Sequence, residues 1–163
     1  MKVVRKQRNS RMCYICGMDN PAGLRAQFYS MEDKSVMTPF RFRTEHQSFP
    51  GRVHGGLVST MLDELGLRAL WANGSEEDFG VTMSLDVKFR KPVPYEEDLL
   101  GRGVVVSETS KFFQISTEIL DMDGKVLANA KVRYIKLLPQ QISEGIDAHK
   151  EMCYLIEDDV KEL

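Results

Sequence analysis

Residues 57–70 carry one long helical stripe, and the rest of the chain has to be arranged around it. Leu57, Val58, Met61, Leu62, Leu65, Ala69 and Leu70 recur at helical spacing and form a wide apolar face. Gly55 and Gly56 stand where that helix begins, and Asn73, Gly74 and Ser75 end it with turn residues. Glycines in a first turn let a ligand come close to the backbone. The free N–H groups there, with the helix dipole behind them, attract an oxyanion or a polarised carbonyl. The same helix bears two neighbouring acids in different company. Glu64 has Arg68 four residues on, the favourable order for an exposed ion pair. Asp63 has Leu67 at that spacing and no cation. Counting the helical turn, it points away from the centre of the stripe, yet Leu67 and Leu70 flank it. A helix apolar on one face and half-apolar on the other is expected to be covered twice, by the chain's own sheet and by a partner subunit. That leaves Asp63 partly desolvated, a state in which carboxylates tend to be functional. The plainer reading is a solvated helix acid.

Around this helix the period changes from helical to alternating. Residues 24–31 read as a strand, and 36–42 as a second, with Pro39 marking an edge or a bulge. Residues 45–53 form the loop before the helix, and Glu76, Glu77 and Asp78 a solvated acidic loop after it. In 81–90, Val81, Met83, Leu85, Val87 and Phe89 make one face, and Thr82, Ser84, Asp86, Lys88 and Arg90 the other. Pro92 and Pro94 close that strand because neither can donate to a ladder. Residues 99–106, 112–120 and 126–137 give three more strands, the last two joined by a strong hairpin signal, Asp121-Met122-Asp123-Gly124-Lys125. The stretch 140–163 is expected as a surface helix whose Ile142, Ile146, Met152, Leu155 and Ile156 pack on the sheet or on a neighbour. Two strands, one helix and four strands make an α+β domain with an antiparallel sheet. The organisation expected is a single domain over 1–163: an N-terminal extension (1–23), a core (24–138) and a C-terminal helix (139–163).

At 163 residues one domain is the simplest reading, and a chain this size can bury a core without staples. A net charge of −2 argues against a nucleic-acid partner and against a polybasic membrane surface. No apolar run approaches the roughly 20 residues of a spanning helix. Residues 1–12 are basic without an apolar segment, which is no secretory signal, so a cytoplasmic location is expected. Three cysteines do not suggest a disulfide framework. Cys13-x-x-Cys16 is followed by Asp19-Asn20-Pro21-Ala22-Gly23, turn chemistry, so a plain turn with two thiols is the first reading. A zinc site completed by His149 and Cys153 has permissible spacing and is the alternative. Redox activity ranks below both.

Phe49-Pro50-Gly51-Arg52-Val53-His54-Gly55-Gly56, followed by Leu62-Asp63-Glu64, resembles the signature of hotdog-fold acyl-CoA thioesterases of the phenylacetate-pathway (PaaI-like) type. The Cys-x-x-Cys-Gly before Asn-Pro-x-Gly-Leu is similar to the N-terminal segment of some members. The resemblance implies a hotdog fold, a curled antiparallel sheet wrapped around one long central helix. It implies hydrolysis of acyl-CoA, with the Gly55 N–H polarising the carbonyl and Asp63 as general base or nucleophile. It also implies Gln47 near the carbonyl (Ser48 being one residue away in register) and Thr82 as the water-orienting hydroxyl. His54 matches the family histidine, and a neutral histidine capping the helix explains it as well as catalysis does. Gly56 and Glu64 fall beside these residues as candidates for binding substrate. Arg90 and Lys91 stand where a basic pair can meet the phosphates of coenzyme A. The scheme requires no metal and no cofactor, and it places the site between two subunits of a homodimer or a dimer of dimers. A non-catalytic acyl-CoA or lipid-binding hotdog protein is the competing reading. The dehydratase branch of the fold fits the His-Gly-Gly context less well.

Overall fold

The computed structural model describes residues 1–76, 78–145 and 147–163, and the side chains of all of these except 148 and 149. Three expectations therefore fall outside the described residues: a solvated Glu77, the packing of Ile146 and a metal-binding His149. In chain order the strands are β1 (Val3–Lys6), β2 (Tyr29–Met31), β3 (Val36–Phe40), β4 (Gln47–Phe49) and β5 (Arg52–Val53). The long helix α1 (Gly55–Asn73) follows, then β6 (Gly80–Phe89), β7 (Leu99–Glu108), β8 (Phe112–Asp121) and β9 (Val126–Lys136). Two single helical turns, α2 (Pro139–Ile142) and α3 (Ala148–Glu151), come last.

Seven strands form one antiparallel sheet in the order β1-β2-β3-β7-β8-β9-β6, and β4 with β5 makes a separate ribbon leading into α1. The helix supplies Val58, Met61, Leu62, Leu65 and Ala69 to a core that it shares with Leu99, Phe113, Ile115, Ile119, Ala130 and Val132. Each large aliphatic side chain sealed this way contributes about 1.5–3 kcal/mol. Helix and sheet approach closely at Gly103 of β7, where an added Cβ would lie 2.7 Å from the Leu65 carbonyl oxygen. Pro39 is tolerated because β2 pairs only with Val36 and Met37, so β3 has run past that neighbour before the proline.

A further flank of α1 is covered by the chain itself. The chain's own N-terminal segment lies along the flank bearing Glu64 and Arg68, with Gln7, Asn9, Ile15, Cys16 and Phe28 buried in the seam. The Gln7 side-chain amide donates to the Arg68 carbonyl (2.9 Å), and Arg68 Nη1 donates to the Arg8 carbonyl (2.6 Å). This segment also shortens the strand expected over 24–31 to β2. The backbone of residues 24–28 instead bonds to the N-terminal loops, as in Leu24 N to Tyr14 O and Ala26 N to Ile15 O. β1, which the sequence pattern did not announce, adds an edge strand to β2. The C-terminal helix is short: α2 and α3 span four residues each, and beyond them the chain runs extended beside the N-terminal segment through the bridges Asn9–Tyr154 and Lys2–Glu162. Backbone pairing and the Tyr154 hydroxyl on the Asp19 carboxylate (2.9 Å) outcompete a longer helix there.

Candidate active site

The β4–β5 ribbon sets Gln47 opposite Val53 and so beside the start of α1. His54 is the N-cap: its backbone is extended, its Nδ1 accepts from the Gly56 N–H at 3.0 Å, and its carbonyl accepts from Leu57 and Val58. The imidazole satisfies an orphan donor of the first turn and must be unprotonated at Nδ1 to do so. Gly56 is thereby committed to His54. Among the described residues no acceptor takes the Gly55 N–H. The Phe89 ring lies over Gly55, 3.3 Å from where a Cβ would stand. Gln47 is exposed, and its Oε1 accepts from the Tyr95 hydroxyl (2.9 Å), which in turn accepts from the Gly51 N–H (3.1 Å). Arg90 and Lys91 follow Phe89 at the same end of the helix. Both are exposed, their backbone N–H groups are held by Leu127 O, and Arg90 Nε donates to Asn129.

Two turns further along α1 stands Asp63, half-buried, with Oδ1 accepting from Thr82 Oγ1 at 2.8 Å and lying 3.2 Å from the Tyr134 hydroxyl. Tyr134 also donates to the Asp63 backbone carbonyl. Strict alternation would turn Thr82 away from Leu85, Val87 and Phe89. The structure places it on their side because the pairing of β6 with β9 slips by one residue between Thr82 and Ser84. Thr82 pairs with Tyr134 and Leu85 with Val132, and both partners face the helix. Met83 is the inserted residue, a bulge that re-aims one hydroxyl onto the carboxylate.

Burial raises the Asp63 carboxyl above its ordinary value. The Thr82 and Tyr134 bonds pull it down, and the neighbouring Glu64 pushes it up. The Tyr134 phenol, buried beside Asp63, is held protonated well above its usual range. Thr82→Ala removes a bond made to the ionised carboxylate, so the Asp63 pKa is expected to rise further. The acid limb of a kcat/KM–pH profile should then move to higher pH in the variant, and an unmoved limb would detach Thr82 from Asp63.

The Tyr134 ring stacks on Phe113, with centroids 4.6 Å apart, and its hydroxyl reaches the helix backbone only because residue 66 is glycine. A Cβ at Gly66 would lie 1.9 Å from that hydroxyl. Gly66→Ala is expected to drive Tyr134 off Asp63, costing about 1–3 kcal/mol in stability as an overpacked core does. A thermal melt within 1 °C of the parent would contradict the contact.

Glu64 does not join this group. Its carboxylate turns to Arg68 Nε (2.9 Å) and lies 3.7 Å from Cys13 Sγ. The ion pair expected on the surface is instead internal: Arg68 is 1% exposed and sits between the Phe28 and Trp71 rings, 4.6 Å from each centroid. Burial pushes the Glu64 carboxyl up to about 7, with Cys16 adding to the rise and Arg68 opposing it. The structure thus brings Asp63 and Thr82 together, gathers Gly55, Gln47, His54, Gly56, Arg90 and Lys91 at the helix start, and sets Glu64 apart. Sequence reasoning missed Tyr134 and Tyr95, which read as an unremarked strand residue and a loop residue. The smallness of Gly66 inside an otherwise bulky helix was the one signal pointing to a partner such as Tyr134. A cleft between β1 and the extended C-terminal segment, lined by Arg5, Lys6 and Leu155 among others, touches none of these residues.

Residues 50–128 match the thioesterase superfamily. The chain is 31% identical over 122 residues to mouse (Mus musculus) acyl-coenzyme A thioesterase THEM4, an alignment covering 71% of this chain and 49% of the mouse protein. It therefore spans about half the length of the curated relatives it matches. Among solved structures it resembles a thioesterase superfamily protein with a TM-score of 0.68 at 24% identity, covering 76% of this chain and 63% of the other. It also resembles the phenylacetic acid degradation-related protein of Ralstonia eutropha JMP134, with a TM-score of 0.61 at 20% identity, covering 69% of this chain and 85% of the other. Residues 50–128 thus match the thioesterase superfamily, and the single helix wrapped in an antiparallel sheet gives this chain the hotdog fold.

Proposed function

We propose that this chain hydrolyses acyl-coenzyme A thioesters at a site shared by two copies of itself. The observation that carries the proposal is a separation. The open Gly55 amide and the desolvated Asp63 carboxylate lie eight residues apart on one straight helix, about 12 Å along its axis. One thioester carbonyl and its attacking water need both groups within about 3 Å of the reacting atoms. Two antiparallel copies of α1 bring the Gly55 of one against the Asp63 of the other. β6 offers the surface for that pairing. Among the described residues it is the last strand of the sheet, bonded only to β9, and it exposes Val81 and Met83. An unpaired edge of this kind is a template for a second strand.

In the shared site the thioester oxygen accepts from the Gly55 N–H, with the Gln47 amide beside it. Asp63 of the facing protomer, held through Oδ1 by Thr82 and Tyr134, uses Oδ2 to take a proton from water. The new oxygen–carbon bond gives a tetrahedral oxyanion on the Gly55 amide. Its collapse breaks the carbon–sulfur bond, and the proton on Asp63 passes to the departing sulfur. Arg90 and Lys91, next to Phe89 at the mouth, offer positive charge to the phosphates of the carrier. The name of the THEM4 relative supports coenzyme A as that carrier.

The test uses two inactive variants. Gly55→Pro deletes the N–H at the first helical position, where proline is accepted, and His54 already has the extended backbone that precedes a proline (φ −61°, ψ 130°). Asp63→Asn deletes the base. Each alone should release coenzyme A from a panel of acyl-CoAs at least about 100-fold more slowly than the parent, by free-thiol detection. After subunit exchange in equal mixture, half the dimers are mixed and each holds one intact site, so about a quarter of the parent rate should return. Exchange without recovery would defeat the shared site. A parent inactive on every acyl-CoA would favour a binding protein.

A further inference from the structure

The Cys-x-x-Cys turn is not used by this chemistry, and the fold has placed it against the helix. Cys13, Cys16 and Glu64 offer three ligand atoms that all lie within 4.8 Å of one another. The turn has the form of a metal knuckle. The N–H groups of Ile15 and Cys16 aim at Cys13 Sγ (3.4 and 3.5 Å), and the Gly17 N–H closes the loop on the Cys13 carbonyl (2.8 Å). A Cβ at Gly17 would lie 2.3 Å from that carbonyl oxygen, so a turn this tight admits only glycine. The Ser10 hydroxyl lies 3.3 Å from Cys16 Sγ and accepts from the Cys13 N–H (3.1 Å), fixing both ends of the turn.

We propose that Cys13, Cys16 and Glu64 bind a thiophilic divalent cation, zinc fitting best, which fastens the N-terminal segment to α1. The lengths agree. Zinc takes sulfur at about 2.3 Å and carboxylate oxygen at about 2.0–2.2 Å, so a tetrahedron has sulfur–oxygen edges of about 3.6 Å. Cys13 Sγ and Glu64 Oε2 are 3.7 Å apart. The charges agree as well. Three anionic ligands face the buried Arg68 guanidinium, which bonds to Glu64 Oε1. One cation cannot neutralise three anions in a low-dielectric seam, whereas a divalent ion together with Arg68 does so completely. Cys13 and Glu64 are only partly buried, which leaves an entry path and a fourth position for water. The expected partner Cys153 is exposed and outside the group, so Glu64 takes the place assigned to it from the sequence.

The experiment loads the full chain, reduced and desalted, with zinc and separately with cobalt(II). About one zinc per chain is expected by elemental analysis, and the cobalt form should show thiolate charge-transfer absorption in the near ultraviolet. Cys13→Ser and Cys16→Ser should each lose both. Glu64→Gln should keep the thiolate bands but bind zinc at least roughly tenfold more weakly. Cys153→Ser should match the parent. A chelator should lower the melting temperature of the zinc-loaded parent and leave that of Cys16→Ser unchanged. Zinc-free protein after loading, cobalt spectra indifferent to Cys16, or a Cys13–Cys16 disulfide forming in zinc-loaded protein would each overturn the site.

Discussion

Asp63→Asn is expected to lose hydrolysis by about 10²–10⁴-fold, the usual worth of a general base, while making the folded protein more stable. The Asn Oδ1 still accepts from Thr82 and Tyr134, so the packing survives. What disappears is the charge. Burial raises the Asp63 pKa in the folded state above its unfolded value. The favourable contribution of such a group is complete below the unfolded pKa and is lost as pH rises through the folded one. At neutral pH the parent therefore carries the cost of an ionised, half-buried carboxylate, and the variant does not. Melts across pH should show the variant ahead at neutral pH and the two converging at acid pH, below the ordinary carboxylate range. A variant less stable than its parent at pH 7 would mean that the carboxylate is held by attractions the structure does not contain.

The largest loss of stability is expected from Arg68→Ala, on the order of 3–5 kcal/mol. Three contacts end together: the ion pair to Glu64, the donation to the Arg8 carbonyl and the sandwich between Phe28 and Trp71. The greater part of the cost is what remains, a largely buried acid facing nothing positive. At roughly 2–4 °C per kcal/mol for a chain of this size, the melting temperature should fall by about 10 °C. Arg68→Met with Glu64→Gln removes the charges while keeping the volume, and should restore most of the loss. If the double variant is as unstable as Arg68→Ala, packing between the aromatic rings matters and charge does not.

The expectation that the structure revised most has a tertiary cause. Glu64 and Arg68 read as a surface pair because their spacing is that of exposed helices, and nothing local says that residues 7–28 will lie across them. That is a tertiary decision, made by Ile15, Cys16 and Phe28 seeking the same core as Leu62 and Leu65. The long helix was legible because its apolar stripe repeats through four turns, and β7, β8 and β9 because alternation and the Asp-Gly turn agree. The short β1 and β2 have too few residues for any period to show. In the candidate site, the placement of Asp63 and Gly55 on one helix was legible from the His-Gly-Gly turn, and the capping by His54 from its place before two glycines. Tyr134 was not, since an inward tyrosine on a strand has the same pattern as any core aromatic.

The extra residue in β6 has a consequence for comparing this chain with its relatives. Removing Met83 would leave an unbroken ladder, with Thr82 still opposite Tyr134 and two places before Leu85, whereas ironing out the bulge with every residue kept would swing the Thr82 hydroxyl to the outer surface, because pleat parity counts residues rather than reading them. The register of β6 against β9 is thus as much a determinant of what faces Asp63 as the identity of the threonine. A homologue shorter by one residue at 82–84 keeps a hydroxyl at this place on an unbroken strand, and one of equal length keeps it there only by keeping the bulge.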